Sequence, residues 1–279
     1  MAAVTSAFAP AKINLTLHVT GQRQDGYHLL DSLVAFADVG DVVRVHERVD
    51  AGLSLDVFGP KAQQVPTDCS NSVLQAAALM GQDGLAFDLE KNLPAQAGIG
   101  GGTSDAAAAL RAVAELRGID IPGGLEALGA DVPVCAVARA ARMSGIGEIV
   151  HPVLGFPRVW AVLVNPGVSV PTPKVFRALT SRNNAPMPKS LPNWQSVPAL
   201  MSWLDAQRND LQEAAVSVEP MIGLVLEALS AVTPRPPVRM SGSGATCFAL
   251  FESAGIARSA ARKLSQQHPD WWVVDCELS

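Results

Sequence analysis

The chain has 279 residues, and its 21 Lys and Arg against 26 Asp and Glu leave a net charge of −5. That balance gives no electrostatic reason to expect nucleic acid or an acidic membrane surface as a partner, and the length predicts two packed domains rather than one core. Cys69, Cys135, Cys247 and Cys276 stand far apart without a C-x-x-C pair, which argues against a disulfide framework or a zinc site. With no basic-flanked apolar leader and no apolar run of about 18 residues, a reducing cytoplasm is the expected compartment.

In chain order, Ala11, Ile13, Leu15, Leu17 and Val19 alternate with Lys12, Asn14, Thr16 and His18. This is the period of a strand with one buried face, and it puts Lys12 and Asn14 on the same polar side. Strand-like stretches follow at Val42–Val49, Leu53–Phe58 and Ala86–Leu89. Asn71 is a good N-cap for a helix carrying Val73, Leu74, Ala77 and Ala78. A second helix opens at Thr103-Ser104-Asp105 and is predicted to stop at Gly118. From Phe156 the pattern restarts, and a domain change is placed there. The apolar run Val159–Val164, a helix at Met221–Leu229, a strand at Cys247–Phe251, a helix at Ile256–Leu264 and a strand at Trp271–Val274 suit a small α+β sandwich. Ser181–Pro198, rich in Pro, Asn and Ser, reads as a long surface excursion.

Gly98, Gly100, Gly101 and Gly102 lie within five positions and run into an Ala-rich helix. Such a junction presents free amides to an anion. A tight turn before a buried helix would use the same residues. The loop lacks the Gly-Lys-Ser/Thr ending of a Walker A motif and has Thr103 where a dinucleotide fingerprint needs glycine.

Pro94-Ala95-Gln96-Ala97-Gly98-Ile99-Gly100-Gly101-Gly102-Thr103-Ser104 resembles the central phosphate motif of the GHMP small-molecule kinases. Pro10–Leu15 and Met240–Ala245 are similar to that superfamily's first and third motifs. Gly21–His28, Gly129–Val134 and Pro166–Thr172 narrow the resemblance to the kinases of 4-diphosphocytidyl-2-C-methyl-D-erythritol. Gln96 departs from the family, which often has glycine there, so an altered loop geometry is expected.

The resemblance implies an α+β, two-domain GHMP kinase fold. Residues 1–154 would form an N-terminal ATP-binding α/β domain, and 155–279 a C-terminal ferredoxin-like substrate domain, its last strand able to pack back on the first. The active site would lie between them. The implied activity is ATP- and Mg²⁺-dependent transfer to the 2-hydroxyl of the diphosphocytidyl substrate, in the non-mevalonate route to isoprenoid precursors. The protein would be a monomer or homodimer, without nucleic acid or membrane partners. Another GHMP kinase acting on homoserine, mevalonate or a sugar, and a nucleotide-binding protein without transfer, are the alternatives.

Implied site residues follow from the matching motifs. Asp131 corresponds to the general base and Lys12 to a cation beside it. Residues 94–104 hold the phosphates, and Asn71 lies near the adenine. Tyr27 and Phe176 flank the cytosine, His28 bonds it, and Asn14 and Thr172 are polar contacts. Thr103 or Ser104 could offer a hydroxyl to the metal, whose ligands are not otherwise defined. Each residue has a plainer role: Asp131 precedes Pro133 as a helix N-cap would, Asn71 is a cap, Lys12 could be solvated, and Phe176 could be core.

Overall fold

The computed structural model describes residues 4–63 and 65–279. Its first part runs β1 (Val4–Asn14), β2 (His18–Gln22), β3 (His28–Glu47), β4 (Leu53–Phe58), α1 (Ser72–Leu79), β5 (Leu85–Glu90), α2 (Gly101–Arg117), a 3-10 turn (Leu125–Leu128) and α3 (Val132–Val137). Next come β6 (Ala141–Gly145), β7 (Ile149–Pro152), β8 (Val159–Asn165), α4 (Thr172–Arg177), α5 (Val197–Asp205), α6 (Gln212–Val218) and α7 (Met221–Ser230). The chain finishes with β9 (Val238–Met240), β10 (Cys247–Phe251), α8 (Ala254–Gln267) and β11 (Trp272–Leu278).

Two compact units emerge, and they interleave along the chain. The first holds 1–12, 39–95 and 100–138, and the second 13–38, 96–99 and 139–279. A single cut at 154/155 does not reproduce them, because β1 and β3 each contribute residues to both.

In the first unit, β5 pairs antiparallel with β3 from Val42–Glu90 to Glu47–Leu85, and parallel with β4 from Leu53–Leu85 to Phe58–Glu90. Leu85, Phe87 and Leu89 alternate inward at 1% exposure or less. Helix α2 packs on α1 and α3. Its run Ala106–Ala109 is fully buried, since methyl-sized side chains allow close approach of backbones. Gly118, at φ +64, ends α2 in the left-handed turn that glycine adopts freely.

In the second unit, β3 pairs with β2 on one side and β6 on the other, and β7 extends from β6. A separate antiparallel run has the order β11–β8–β10–β9. With α7 leading into β9 and α8 joining β10 to β11, this is the ferredoxin-like arrangement. The last strand reaches Ala37 of β3 through Leu278.

Two sequence expectations change. The alternation at 11–19 does not produce a solvent face, because Lys12, Asn14, Thr16 and His18 are all 3% exposed or less, and the strand itself ends at Asn14. The excursion at 181–198 is no bare surface loop, since Met187 and Trp194 are buried and Trp194 meets Phe156 and Trp203 edge-on.

Candidate active site

In the first unit the buried ammonium of Lys12 lies 2.8 Å from Asp131 Oδ2, while the Asp131 side chain keeps 33% of its surface exposed. Asp131 occupies the N-cap position of α3, yet its side chain makes no capping bond. The cap reading therefore fails on geometry: residue 131 has αR backbone angles rather than the extended ones that aim a side chain at N2 or N3. Lys12 is not solvated either.

Gly100, at φ +67, precedes α2, and a Cβ there would stand 3.2 Å from Lys12 Cβ. Glycine thus lets the loop run against Lys12. The Ser104 amide makes the first bond back, to Gly100 O at 2.8 Å, which leaves the amides of Gly101, Gly102 and Thr103 outside the helix ladder. These amides, at the positive end of a 17-residue helix, have the arrangement that suits an anion.

Ser104 itself cannot serve a metal as expected. It is fully buried, and its hydroxyl donates to Pro10 O at 2.7 Å. Thr103 is partly exposed, with its hydroxyl donating to Gly100 O. Asn71 is spent as a cap: its Oδ1 accepts from Val73 N and its Nδ2 donates to Pro66 O.

Sequence reasoning missed a second ion cluster in this unit. Lys91 Nζ contacts Asp41 Oδ2 at 2.5 Å and Asp105 Oδ2 at 2.8 Å, with all three side chains 5% exposed or less. Burial pushes the Asp105 carboxyl up, opposed by Lys91 and reinforced by Asp41, to about 7. The signal was a lone lysine followed by Asn92-Leu93-Pro94, which carries no periodicity.

In the second unit, residues 96–99 are held by the third glycine motif. Ser241 Oγ donates to Gly98 O at 2.9 Å, the Thr246 amide donates to Ala97 O at 3.1 Å, and the Asn14 amide donates to Ser241 Oγ at 3.0 Å. A Cβ on Gly98, which has φ +72, would lie 2.5 Å from Ser241 O. Gln96 takes φ +50, the left-handed conformation that glycine reaches without cost, and its Oε1 accepts from Ser169 Oγ at 2.9 Å. Asn209, also missed, donates to both Met240 O and Gly242 O at 2.8 Å and so braces the motif from behind.

Thr172 and Ser243 share a 2.8 Å hydrogen bond, which puts Thr172 at that motif. His28 stacks on Phe176 with centroids 4.6 Å apart, and its Nε2 is buried without a partner. Desolvation and the nearby Arg182 lower its pKa, so the ring is neutral near pH 7. Tyr27 stands 60% exposed. Phe176 is thus stacked by His28.

Comparison with known proteins bears on the whole chain. Residues 71–142 match the family described as GHMP kinases N terminal domain, and residues 189–270 match GHMP kinases C terminal. The 4-diphosphocytidyl-2-C-methyl-D-erythritol kinase of Dinoroseobacter shibae is 56% identical over 98% of this chain and 94% of its own. That of Cereibacter sphaeroides strain ATCC 17025 is 55% identical over 99% and 100%. A crystal structure of 4-(cytidine 5'-diphospho)-2C-methyl-D-erythritol kinase superposes with a TM-score of 0.78 at 35% identity, covering 98% of this chain and 99% of that one. The homoserine kinase of Cytophaga hutchinsonii, at 17% identity and TM-score 0.64 over 98% and 94%, shares the fold. The chain is thus a phosphotransferase of the GHMP kinases, and within them it belongs to the 4-diphosphocytidyl-2-C-methyl-D-erythritol kinase family.

Proposed function

We propose that this enzyme uses ATP to phosphorylate the 2-hydroxyl of 4-diphosphocytidyl-2-C-methyl-D-erythritol, a step toward isoprenoid precursors. The observation that carries the mechanism is the contact between a buried Lys12 ammonium and a partly exposed Asp131 carboxylate, 2.8 Å apart, in the unit that also holds Gly100–Ser104. Asp131 takes the hydroxyl proton as that oxygen bonds to the γ-phosphorus and the bridging oxygen leaves with ADP. Lys12 orients the carboxylate and offsets charge on the moving phosphoryl group. The free amides of Gly101, Gly102 and Thr103 hold phosphate oxygens.

The oxygen donors at the loop suit Mg²⁺, a hard cation bound chiefly through nucleotide phosphates and water. Thr103 Oγ1 and the Asp131 carboxylate are the side chains that could approach it. Mg²⁺ supplies neutralisation of phosphate charge. On the acceptor side, the unpartnered Nε2 of neutral His28 supports a hydrogen bond to the cytosine edge, with Phe176 under one face of the base and Tyr27 over the other. For that, the base takes the place His28 now holds on Phe176. Asn14 and Thr172, both tied to the 241–243 segment, are the polar contacts. In this reading 1–12, 39–95 and 100–138 serve the nucleotide, and the acceptor contacts Asn14, Tyr27, His28, Thr172 and Phe176 all lie in the other unit. Unpaired Cys69, Cys135, Cys247 and Cys276 fit the cytoplasm as its compartment.

A panel of acceptors tests the proposal. ATP-dependent phosphate transfer to the diphosphocytidyl substrate, with none to homoserine, mevalonate or galactose, is expected. Transfer to one of those alcohols at a comparable kcat/KM overturns it.

A further inference from the structure

Strand β3 presents two different faces in the second unit. His28 and Leu30 point one way: His28 stacks on Phe176, and Leu30 packs against that unit's apolar core while also bordering the cavity described below. By strand alternation, Leu29 and Asp31 point the other way. Asp31 lies opposite His18 of β2 and Ser144 of β6, and Arg142 lies opposite His151 of β7. Directly paired residues share a face, so Leu29, Asp31, Ser144, Arg142 and His151 form the reverse side of the sheet that carries His28.

That reverse side is roofed by residues 186–193. Asp31 accepts from Arg142 Nε and Nη2 at 2.7 Å each and from the Met187 amide at 2.8 Å. Arg142 Nη1 donates to Pro188 O and Lys189 O at 2.9 Å each. Between sheet and roof lies a cavity of about 800 Å³, within the range of small-molecule sites. None of the residues assigned above to ATP or to the acceptor lines it.

We propose that this cavity is a second ligand site, which takes a small amphipathic anion: an apolar chain ending in a phosphate or carboxylate. Its chemistry follows from which charges are already spent. Asp31 and Arg142 neutralise each other, and the guanidinium donors are used on Asp31 and on roof carbonyls. Asp31 is the one acidic side chain in the lining, so the available charge is that of Lys189, with the His151 ring as a further hydrogen-bonding group, both exposed. The lining also carries apolar side chains, among them Leu29, Leu191 and a Leu154 that stands 91% exposed. An apolar chain would cover these leucines while its head reaches the Lys189 ammonium and the His151 ring.

Octyl phosphate, below its micelle concentration and with ADP present to fill the glycine loop, is the probe for calorimetric titration of the full chain. One saturable site is expected, with inorganic phosphate and octanol each binding more weakly. Replacing Lys189→Ala and His151→Ala together should weaken octyl phosphate about tenfold, the loss expected for hydrogen bonds to charged groups. Leu154→Asp should do likewise by placing a like charge in the wall, and kinase turnover should stay unchanged in all of these variants, whose side chains are exposed. The proposal is overturned if octyl phosphate shows no saturable binding, if octanol or inorganic phosphate binds as well, or if binding ignores all three substitutions.

Discussion

Lys12 and Lys91 lie in the same unit, each less than 5% exposed and each in contact with aspartate. They differ in what surrounds the carboxylates. Asp131 keeps a third of its side-chain surface open, whereas Asp41 and Asp105 are enclosed. Asp41 is also saturated, accepting from the Asn92 and Leu93 amides as well as from Lys91. A carboxylate that remains accessible can meet a substrate, and one that is sealed can only hold the scaffold. The same residue types thus stand open in one place, where the proposed chemistry would use them, and enclosed in the other.

The largest expected effect is at the open pair. Asp131→Asn should reduce turnover roughly 100-fold to 10,000-fold, the range for a lost general base. Its urea midpoint should fall only as far as loss of the Lys12 contact requires, with no added loss from a helix cap, because Asp131 makes no capping bond. Lys12→Ala should lower kcat more than it raises the KM for the acceptor. Near-normal turnover in both folded proteins would remove the distinction between the clusters.

Lys91→Met should act in the opposite way. Leaving two buried carboxylates without their cation costs about 3–5 kcal/mol, read by urea unfolding. If instead stability is kept while turnover collapses, the enclosed cluster is part of the chemistry.

The enclosed cluster also predicts a pH dependence. The folded-state pKa of Asp105 is raised to about 7 from the ordinary 3.8, so between those values the native state binds more protons than the unfolded chain. Stability from this group is therefore fully present below about pH 4 and is lost as pH rises through 7, at no more than about 1.4 kcal/mol per pH unit. Asp105→Asn should flatten that part of the stability profile. An unchanged slope would place the proton elsewhere.

The smallest effect is expected at Asn71. Both of its side-chain polar atoms are committed within the helix start, so Asn71→Ala should cost about 1 kcal/mol with little change in the KM for ATP. A large rise in that KM would restore the adenine contact.

Local elements were legible wherever a short-range rule governed them. The Asn71 cap, the stop of α2 at Gly118, and the strands Leu53–Phe58 and Cys247–Phe251 stand where sequence predicts. By contrast, β3 extends over 20 residues although its start, Leu29-Leu30-Asp31-Ser32-Leu33-Val34, has no alternation. Both faces are covered there, so period two carries no information. The β6–β7 hairpin and α5 and α6 were also not foreseen. At the site, motif order led to Lys12, Asp131 and the glycine loop. It could not show that Ser104 would be enclosed, or that Asn209 would brace residues 240–242 from a distant segment.

What the sequence by itself determined is the family, the glycine loop and the candidates proposed for phosphoryl transfer, because backbone freedom and side-chain chemistry are properties of single positions and short runs. Tertiary structure alone decided which of those residues remain accessible. Burial, desolvation and the saturation of hydrogen bonds depend on segments far apart in the chain, such as Pro10 against Ser104, Asp41 against Lys91, and Asp31 against Arg142.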